Sequence, residues 1–139
     1  MARWILSFAV GMACSGIGVL AHHSIAAVYD SSRKGTVEGA VIRFQFTNPH
    51  PLLTIEVADG GGKPQEWLLE MDNRSELAAV GVTAETLKPG DRVVVTGSLA
   101  RAQANRLYIS RLDRPADGFR YEQVGSSPRV RTPSRPRSD

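Results

Sequence analysis

The chain has 139 residues, a formal net charge of +3 and one cysteine. This length predicts a single domain, and one cysteine excludes a disulfide framework or a zinc site built from several cysteines. The positive charge lies at the C terminus, where residues 126–139 hold four arginines and one acid, whereas residues 22–125 hold 12 basic and 13 acidic side chains. The globular part is therefore not expected to bind nucleic acid, which requires a basic surface.

Residues 1–21 have the three parts of a secretory signal peptide. Arg3 supplies the positive n-region, an apolar run follows it, and the sequence Val-Leu-Ala precedes the expected cut. We predict cleavage after Ala21, which makes the protein periplasmic or secreted and leaves His22 as its first residue. Two alternatives stay open, namely an uncleaved N-terminal anchor and lipidation of Cys14.

The next segments are predicted to be a lead-in over residues 22–34 and a domain over residues 35–114. The first strand is predicted over residues 35–46, and its apolar positions change from odd to even numbers near residues 39–42. A period-2 pattern that slips by one residue indicates a bulge or a sharp bend. A long first strand that bends in this way is typical of a small closed barrel.

The following elements have the order expected of such a barrel. The predicted strands two to five cover residues 53–57, 66–71, 92–97 and 107–112. Between the third and fourth strands we predict a short helix, with Asn73 as its N-cap and Gly81 as its stop. The prediction is a mainly β fold with one short helix, as a small five-stranded OB-like barrel. A small open sheet or sandwich with one helix is the alternative.

Residues 115–139 are predicted to be a basic tail rich in serine, proline and arginine. Its last part has one apolar residue, Val130, so it cannot bury enough surface to offset its ordering entropy, and we expect disorder. The tail could make a peripheral membrane contact through anionic lipid headgroups. The simpler interpretation is a solubilising tail.

Three short segments together resemble a known family. They are Ala21-His22-His23-Ser24, Thr47-Asn48-Pro49-His50 and Leu87-Lys88-Pro89-Gly90-Asp91. In residues and spacing, the chain is similar over residues 22–114 to domain-of-unknown-function family 6152, a group of small secreted bacterial proteins. It departs from that family at Phe46 and Leu52, where the family tends to carry tryptophan. The family has no established activity, so the resemblance implies a fold and an exported location.

The predicted mature protein has three histidines, His22, His23 and His50, all within these segments. A free amino terminus followed by histidine offers an amine and an imidazole nitrogen, which are ligands that suit copper(II). In one mode, the α-amine and ring of His22 bind the metal together with His50. In another, the α-amine, the His23 amide and the His23 ring bind it. Alternatively, the terminus only suits signal peptidase and His50 has a structural hydrogen bond.

No residue pattern predicts a catalytic site. Glu66 and Glu70 share one face of strand three, opposite Trp67 and Leu69, so we expect a solvated outer face and not an acid–base pair. The serines lack a nucleophile elbow, and the glycine-rich segment is followed by no helix. We therefore expect a non-enzymatic periplasmic binding module for a metal such as copper. A module for an unknown partner protein or envelope polymer and an enzyme accessory subunit are the alternatives.

Overall fold

The computed structural model describes residues 25–133, in which residues 25–28 are helical. The elements that follow are β1 (Tyr29–Gln45), β2 (Leu52–Ala58), β3 (Pro64–Glu70), α1 (Arg74–Ala79), β4 (Arg92–Ala100), β5 (Arg106–Arg114), β6 (Phe119–Val124) and β7 (Ser127–Arg131). The predicted mainly β fold is confirmed. The predicted signal peptide, residues 1–21, lies outside the described residues.

The long strand β1 organises the sheet, because it pairs with β2 along its second half and with β4 along its first half. Its register with β2 slips between Val41 and Arg43, which confirms the predicted bulge. Nearby, Gly39 lies directly against the carbonyl oxygen of Glu56. A side chain at this position would collide with the β2 backbone, so the bend depends on glycine.

The strand pairings of the first five strands form a closed ring. The order along the sheet is β3-β2-β1-β4-β5-β6-β7, and β3 also pairs with β5. This last pairing is parallel and runs from Leu68 opposite Arg106 to Glu70 opposite Tyr108. All the other strand pairs of the described residues are antiparallel.

The core consists mainly of aliphatic side chains, most of them on these five strands. Its fully buried members include Leu53, Ile55, Leu69, Val93, Val95, Leu107, Ile109 and Leu112. Burial of each such side chain contributes about 1.5–3 kcal/mol to folding. Trp67, on the same face of β3 as Leu69, is only partly buried and packs against this core.

The helix α1 begins and ends as the sequence predicts. The side chain of Asn73 accepts a hydrogen bond from the backbone N–H of Ser75 at 2.8 Å. Gly81 has a φ angle of +92°, in the left-handed region that glycine adopts without strain. Leu77 is the buried residue of this helix. A single apolar anchor and a defined cap therefore fix its place between β3 and β4.

The predicted disordered tail from residue 115 is wrong for residues 119–131, which form the hairpin of β6 and β7. Phe119 and Tyr121, at alternate positions of β6, are buried in the core. These two side chains bury the apolar surface that orders the hairpin, which the composition of the tail did not suggest. Residues 134–139 lie outside the described part. The predicted lead-in is also too long, because β1 begins at the buried residue Tyr29.

Candidate binding cavity

A cavity of about 510 Å³ lies where the start of β1, the loop after β1 and the segment after β3 meet. The residues that line it include Ile25, Tyr29, His50, Asp72, Tyr108 and Ser126. This volume is in the range of cavities that bind small ligands, and the lining combines an apolar surface with a few polar groups.

The loop that carries His50 is held against the segment that follows β3. The backbone N–H of Met71 donates to the carbonyl of Pro51 at 2.9 Å, and that of Arg74 donates to the carbonyl of Pro49 at 3.0 Å. The side chain of Arg74 also donates to the carbonyl of Phe46 at 3.0 Å. The peptide bond before Pro49 is cis. The three hydrogen bonds join the loop to the segment after β3, and this arrangement places His50 at the cavity.

The ring of His50 has a defined orientation. Its Nδ1 atom lies 3.1 Å from the carbonyl oxygen of Met71, and a carbonyl oxygen can only accept, so Nδ1 carries the hydrogen. In the neutral ring, the lone pair is therefore on Nε2. Histidines that bind metals commonly donate their other N–H to a backbone carbonyl in this way. The bond to Met71 fixes the orientation of the His50 ring and leaves the Nε2 lone pair without this partner.

Two carboxylates, Asp72 and Glu76, lie on the wall of the same cavity. Within residues 25–133, neither forms an ion pair with a cationic side chain. Burial raises the pKa of the neighbouring Tyr108 hydroxyl, and the negative charge of Asp72 raises it further. Arg101 also lines the cavity and forms an ion pair with Asp30 at 3.3 Å, so the lining combines two carboxylates with one paired cation.

A buried polar network lies under one side of the cavity. Tyr29 donates its hydroxyl hydrogen to Glu70 at 2.6 Å, and Arg106 donates to the Tyr29 oxygen at 2.8 Å and to Glu70 at 3.1 Å. Burial makes the largest contribution to the raised pKa of Tyr29, and the hydrogen bond to Glu70 raises this pKa further. The expectation of a solvated face holds for Glu66 but is wrong for Glu70, which is only 9% exposed. The parallel pairing with β5 covers the end of β3 and buries this carboxylate.

The predicted metal ligands fall into two groups. His50 lines the cavity, whereas His22 and His23 lie outside the described residues. Within residues 25–133, no group of three or more histidine, cysteine, aspartate or glutamate side chains is placed to hold a metal ion. Ile25 and Ala26 line the same cavity as His50.

Two polar residues of this region were not identified as site residues from the sequence. Asp72 was noted only as one of several acids around strand three, and Gln123 lay in the predicted tail. In the structure, the side-chain amide of Gln123 donates a hydrogen bond to the carboxylate of Asp72 across 51 positions of the chain. No local pattern signals such a contact, because it requires β6 to be in place.

The described residues form a small, mainly β fold with a cavity whose lining is mostly apolar and carries a few polar groups. The chain belongs to the family of unknown function DUF6152, whose model matches residues 9–107. This match confirms the family that the three motif segments indicated. It includes the region of His50 and Asp72 and ends before β6, so Gln123 lies outside it. No match was found among curated proteins.

Within residues 25–133, no helix is long and apolar enough to cross a membrane.

Proposed function

We propose that this protein is an exported, non-enzymatic binding module with an OB-like barrel, and that it holds copper(II) in the cavity beside His50. The observation that carries this proposal is the His50 ring, whose Nδ1 is occupied by the carbonyl of Met71, so that Nε2 keeps its lone pair, in a residue that lines a cavity together with Asp72 and Glu76.

The ring of strand pairings supports the OB-like assignment. Pairings run from β3 through β2, β1 and β4 to β5 and return to β3, with α1 between β3 and β4 in the chain. This order agrees with the five-stranded Greek-key barrel of that fold, which binds ligands on its face and through its loops. In this interpretation, β6 and β7 are a hairpin added beside β5.

The other metal ligands in the proposal come from the new amino terminus. The signal-peptide pattern predicts a first residue at His22, which is three positions before Ile25 on the cavity wall. A chain of three residues spans up to about 10 Å, so the α-amine and the ring of His22 or His23 can reach the cavity. An amine and two imidazole nitrogens form a ligand set that copper(II) binds more strongly than other divalent metals of the first row.

The test is a titration of copper(II) into the exported, correctly processed protein and into the same protein with an acetylated α-amine. We expect binding tighter than micromolar for the first, and at least a tenfold weaker affinity both for the second and for His50→Gln. The matched control is the exposed β3 variant Glu66→Gln, which should bind like the natural protein. Equal affinities, or no binding tighter than micromolar, contradict the proposal.

An interaction module for an anionic partner is the second candidate, and the edge strand β7 favours it. Arg129 and Arg131 on this strand are exposed, and neither forms an ion pair within residues 25–133. Arg135 follows Arg131 by four positions and Arg129 by six. Binding to an anionic envelope polymer that weakens with salt and with the pair Arg129→Gln and Arg131→Gln would support this function. Arg43→Gln is the control, since it lies on β1.

A further inference from the structure

We propose that the open edge of β7 binds an extended acidic peptide segment as an added strand, in which two carboxylate side chains flank one apolar side chain. This inference is independent of the copper proposal. It also differs from the anionic polymer considered above, because the partner is recognised through its backbone as well as through its charge.

The first argument is the free edge of the sheet. β7 is the last strand of the sheet order, and within residues 25–133 it pairs with β6 alone. This pairing starts with Ser127 opposite Val124, across a two-residue turn in which Gly125 has a φ angle of +60°. In such a hairpin the two residues that close the turn bond to each other, and bonded and non-bonded pairs then alternate. The backbone groups of Pro128 and Val130 therefore face away from β6.

Pro128 agrees with this arrangement, because a proline in a strand is tolerated where its missing N–H would face the open side. Val130, two positions further on, presents both its N–H and its carbonyl to the same side. A short added strand can bond to Val130 and to the carbonyl of Pro128. Main-chain hydrogen bonds of this kind provide affinity when a peptide adds to a sheet edge.

The second argument is the charge on the outer face of β7. Arg129 and Arg131 are exposed, and neither forms an ion pair within residues 25–133. In the register of the hairpin, Arg131 lies opposite Arg120, which already donates to Asp113. Like charges directly opposite each other are unfavourable. A carboxylate on the other side of Arg131 would supply the opposite charge that this row of the sheet lacks.

Arg129 has a comparable place in the neighbouring row. It lies opposite Glu122, whose carboxylate is paired with Arg111 at 3.7 Å. Arg129 and Arg131 are two positions apart, so their side chains leave the strand on the same face. An added strand with acidic residues at two alternate positions can therefore face both arginines.

The third argument is a cleft on the inner face of the hairpin. Val130 points to the face opposite the two arginines. It is partly buried and lines a cleft of about 450 Å³ together with Phe119, Gly81 and Ala116. The lining also holds three acids and two bases, namely Glu85, Asp91, Asp117, Lys88 and Arg114. A further carboxylate is thus not favoured in this cleft, whereas an apolar side chain beside Val130 can cover apolar surface.

A second copy of β7 does not fit the same edge. In an antiparallel pair centred on Val130, Arg129 of each copy would lie opposite Arg131 of the other, so like charges would meet twice. Proline and charged residues on an edge strand commonly prevent this kind of self-association. The same two arginines attract a strand that carries carboxylates.

The experiment measures binding of the synthetic peptide Thr-Thr-Glu-Val-Glu-Thr-Thr, with blocked ends, to the processed full-length protein by calorimetry at low salt. We expect one peptide to bind per chain. Glutamine in place of both glutamates should weaken binding at least tenfold. Aspartate in place of the valine makes the peptide more negative but should still weaken binding at least fivefold, because it places a carboxylate in the cleft.

Two N-methylated peptides of equal charge test recognition of the backbone. One is methylated on the valine nitrogen and the other on both glutamate nitrogens. Successive N–H groups of a strand point to opposite sides, so one peptide should lose binding and the other should keep it. Loss with the methylated valine indicates an antiparallel strand, and loss with the methylated glutamates indicates a parallel strand.

The protein variants locate the site. Arg129→Gln combined with Arg131→Gln should weaken peptide binding at least fivefold, whereas Arg43→Gln, exposed on β1, should keep the natural affinity. The peptide series leaves the protein unchanged, so the test stays decisive if a variant folds poorly.

Absence of binding would overturn the inference and leave the β7 edge as a protective feature only. Equal binding of the two methylated peptides, or tighter binding of the aspartate peptide, would also overturn it. Those two results would mean that the arginines attract polyanions without strand addition, which agrees with the anionic polymer. The copper proposal is tested by its own titration and is unaffected by any of these results.

Discussion

The two loop motifs of this chain have different uses in the folded protein. The segment Leu87–Asp91 meets Arg114, whose guanidinium donates to Asp91 at 2.7 Å, to the carbonyl of Thr86 at 2.7 Å and to Asp117 at 2.8 Å. The segment that ends at His50 instead lies at the cavity, where the His50 ring is hydrogen-bonded to the carbonyl of Met71. One motif thus lies in an ion-pair cluster, and the other lies at the cavity for which we propose binding.

The two motif segments differ in whether the carboxylates beside them are paired with a cationic side chain. Around Arg114, both carboxylates have a cationic partner, and the guanidinium also lies 5.0 Å from the ring centre of Phe119. Around His50, the carboxylate of Asp72 has hydrogen bonds but no cation within residues 25–133. A matched cluster stabilises the fold, whereas an unmatched carboxylate is available to a ligand.

The largest expected effect concerns Arg114 and its two carboxylate partners, Asp91 and Asp117. Arg114→Met should lower the free energy of unfolding by about 2–4 kcal/mol, because it leaves two partly buried carboxylates without their partner. Urea unfolding measures this change. Arg111→Met is the matched control, since Arg111 is more exposed, and surface pairs contribute about 1 kcal/mol or less. Equal losses in the two variants would contradict the structural role of Arg114.

A pH profile sharpens the same comparison. The hydrogen bonds from Arg114 hold the pKa of Asp117 below its usual value. A carboxyl group with a lower pKa in the folded state contributes stability above its unfolded value of about 3.9, and this contribution is lost as the pH falls through the folded value. We expect the natural protein to lose stability below about pH 4, and Arg114→Met to lose less over that interval. Parallel curves would show that this pair is not the cause.

The smallest expected effect on stability concerns His50 at the cavity. His50→Gln should change the free energy of unfolding by about 1 kcal/mol or less, because one hydrogen bond to Met71 is lost. Copper affinity should nevertheless fall at least tenfold, as proposed above. Thermal unfolding of the metal-free protein separates the two effects. A loss of stability as large as that of Arg114→Met would mean that His50 is chiefly structural.

Much of the β architecture could be predicted from local patterns in the sequence. Alternating apolar residues indicated five of the strands, the phase change indicated the bulge near Val41, and Asn73 indicated the start of the helix. These features depend on neighbours within a few positions, where side-chain period and backbone preference act directly. The hairpin of β6 and β7 was missed because the composition of the last residues outweighed the alternation of Phe119 and Tyr121.

The sequence by itself determined the family, the mainly β class and the three histidines that the metal hypothesis uses. Only the tertiary structure decided that Glu70 is buried against Tyr29 and that Asp72 lies on the same wall as His50. Closure of β3 on β5 and docking of β6 produce these placements. Both depend on contacts between distant parts of the chain, as in the bond from Gln123 to Asp72, and such contacts leave no periodic or local trace in a single sequence.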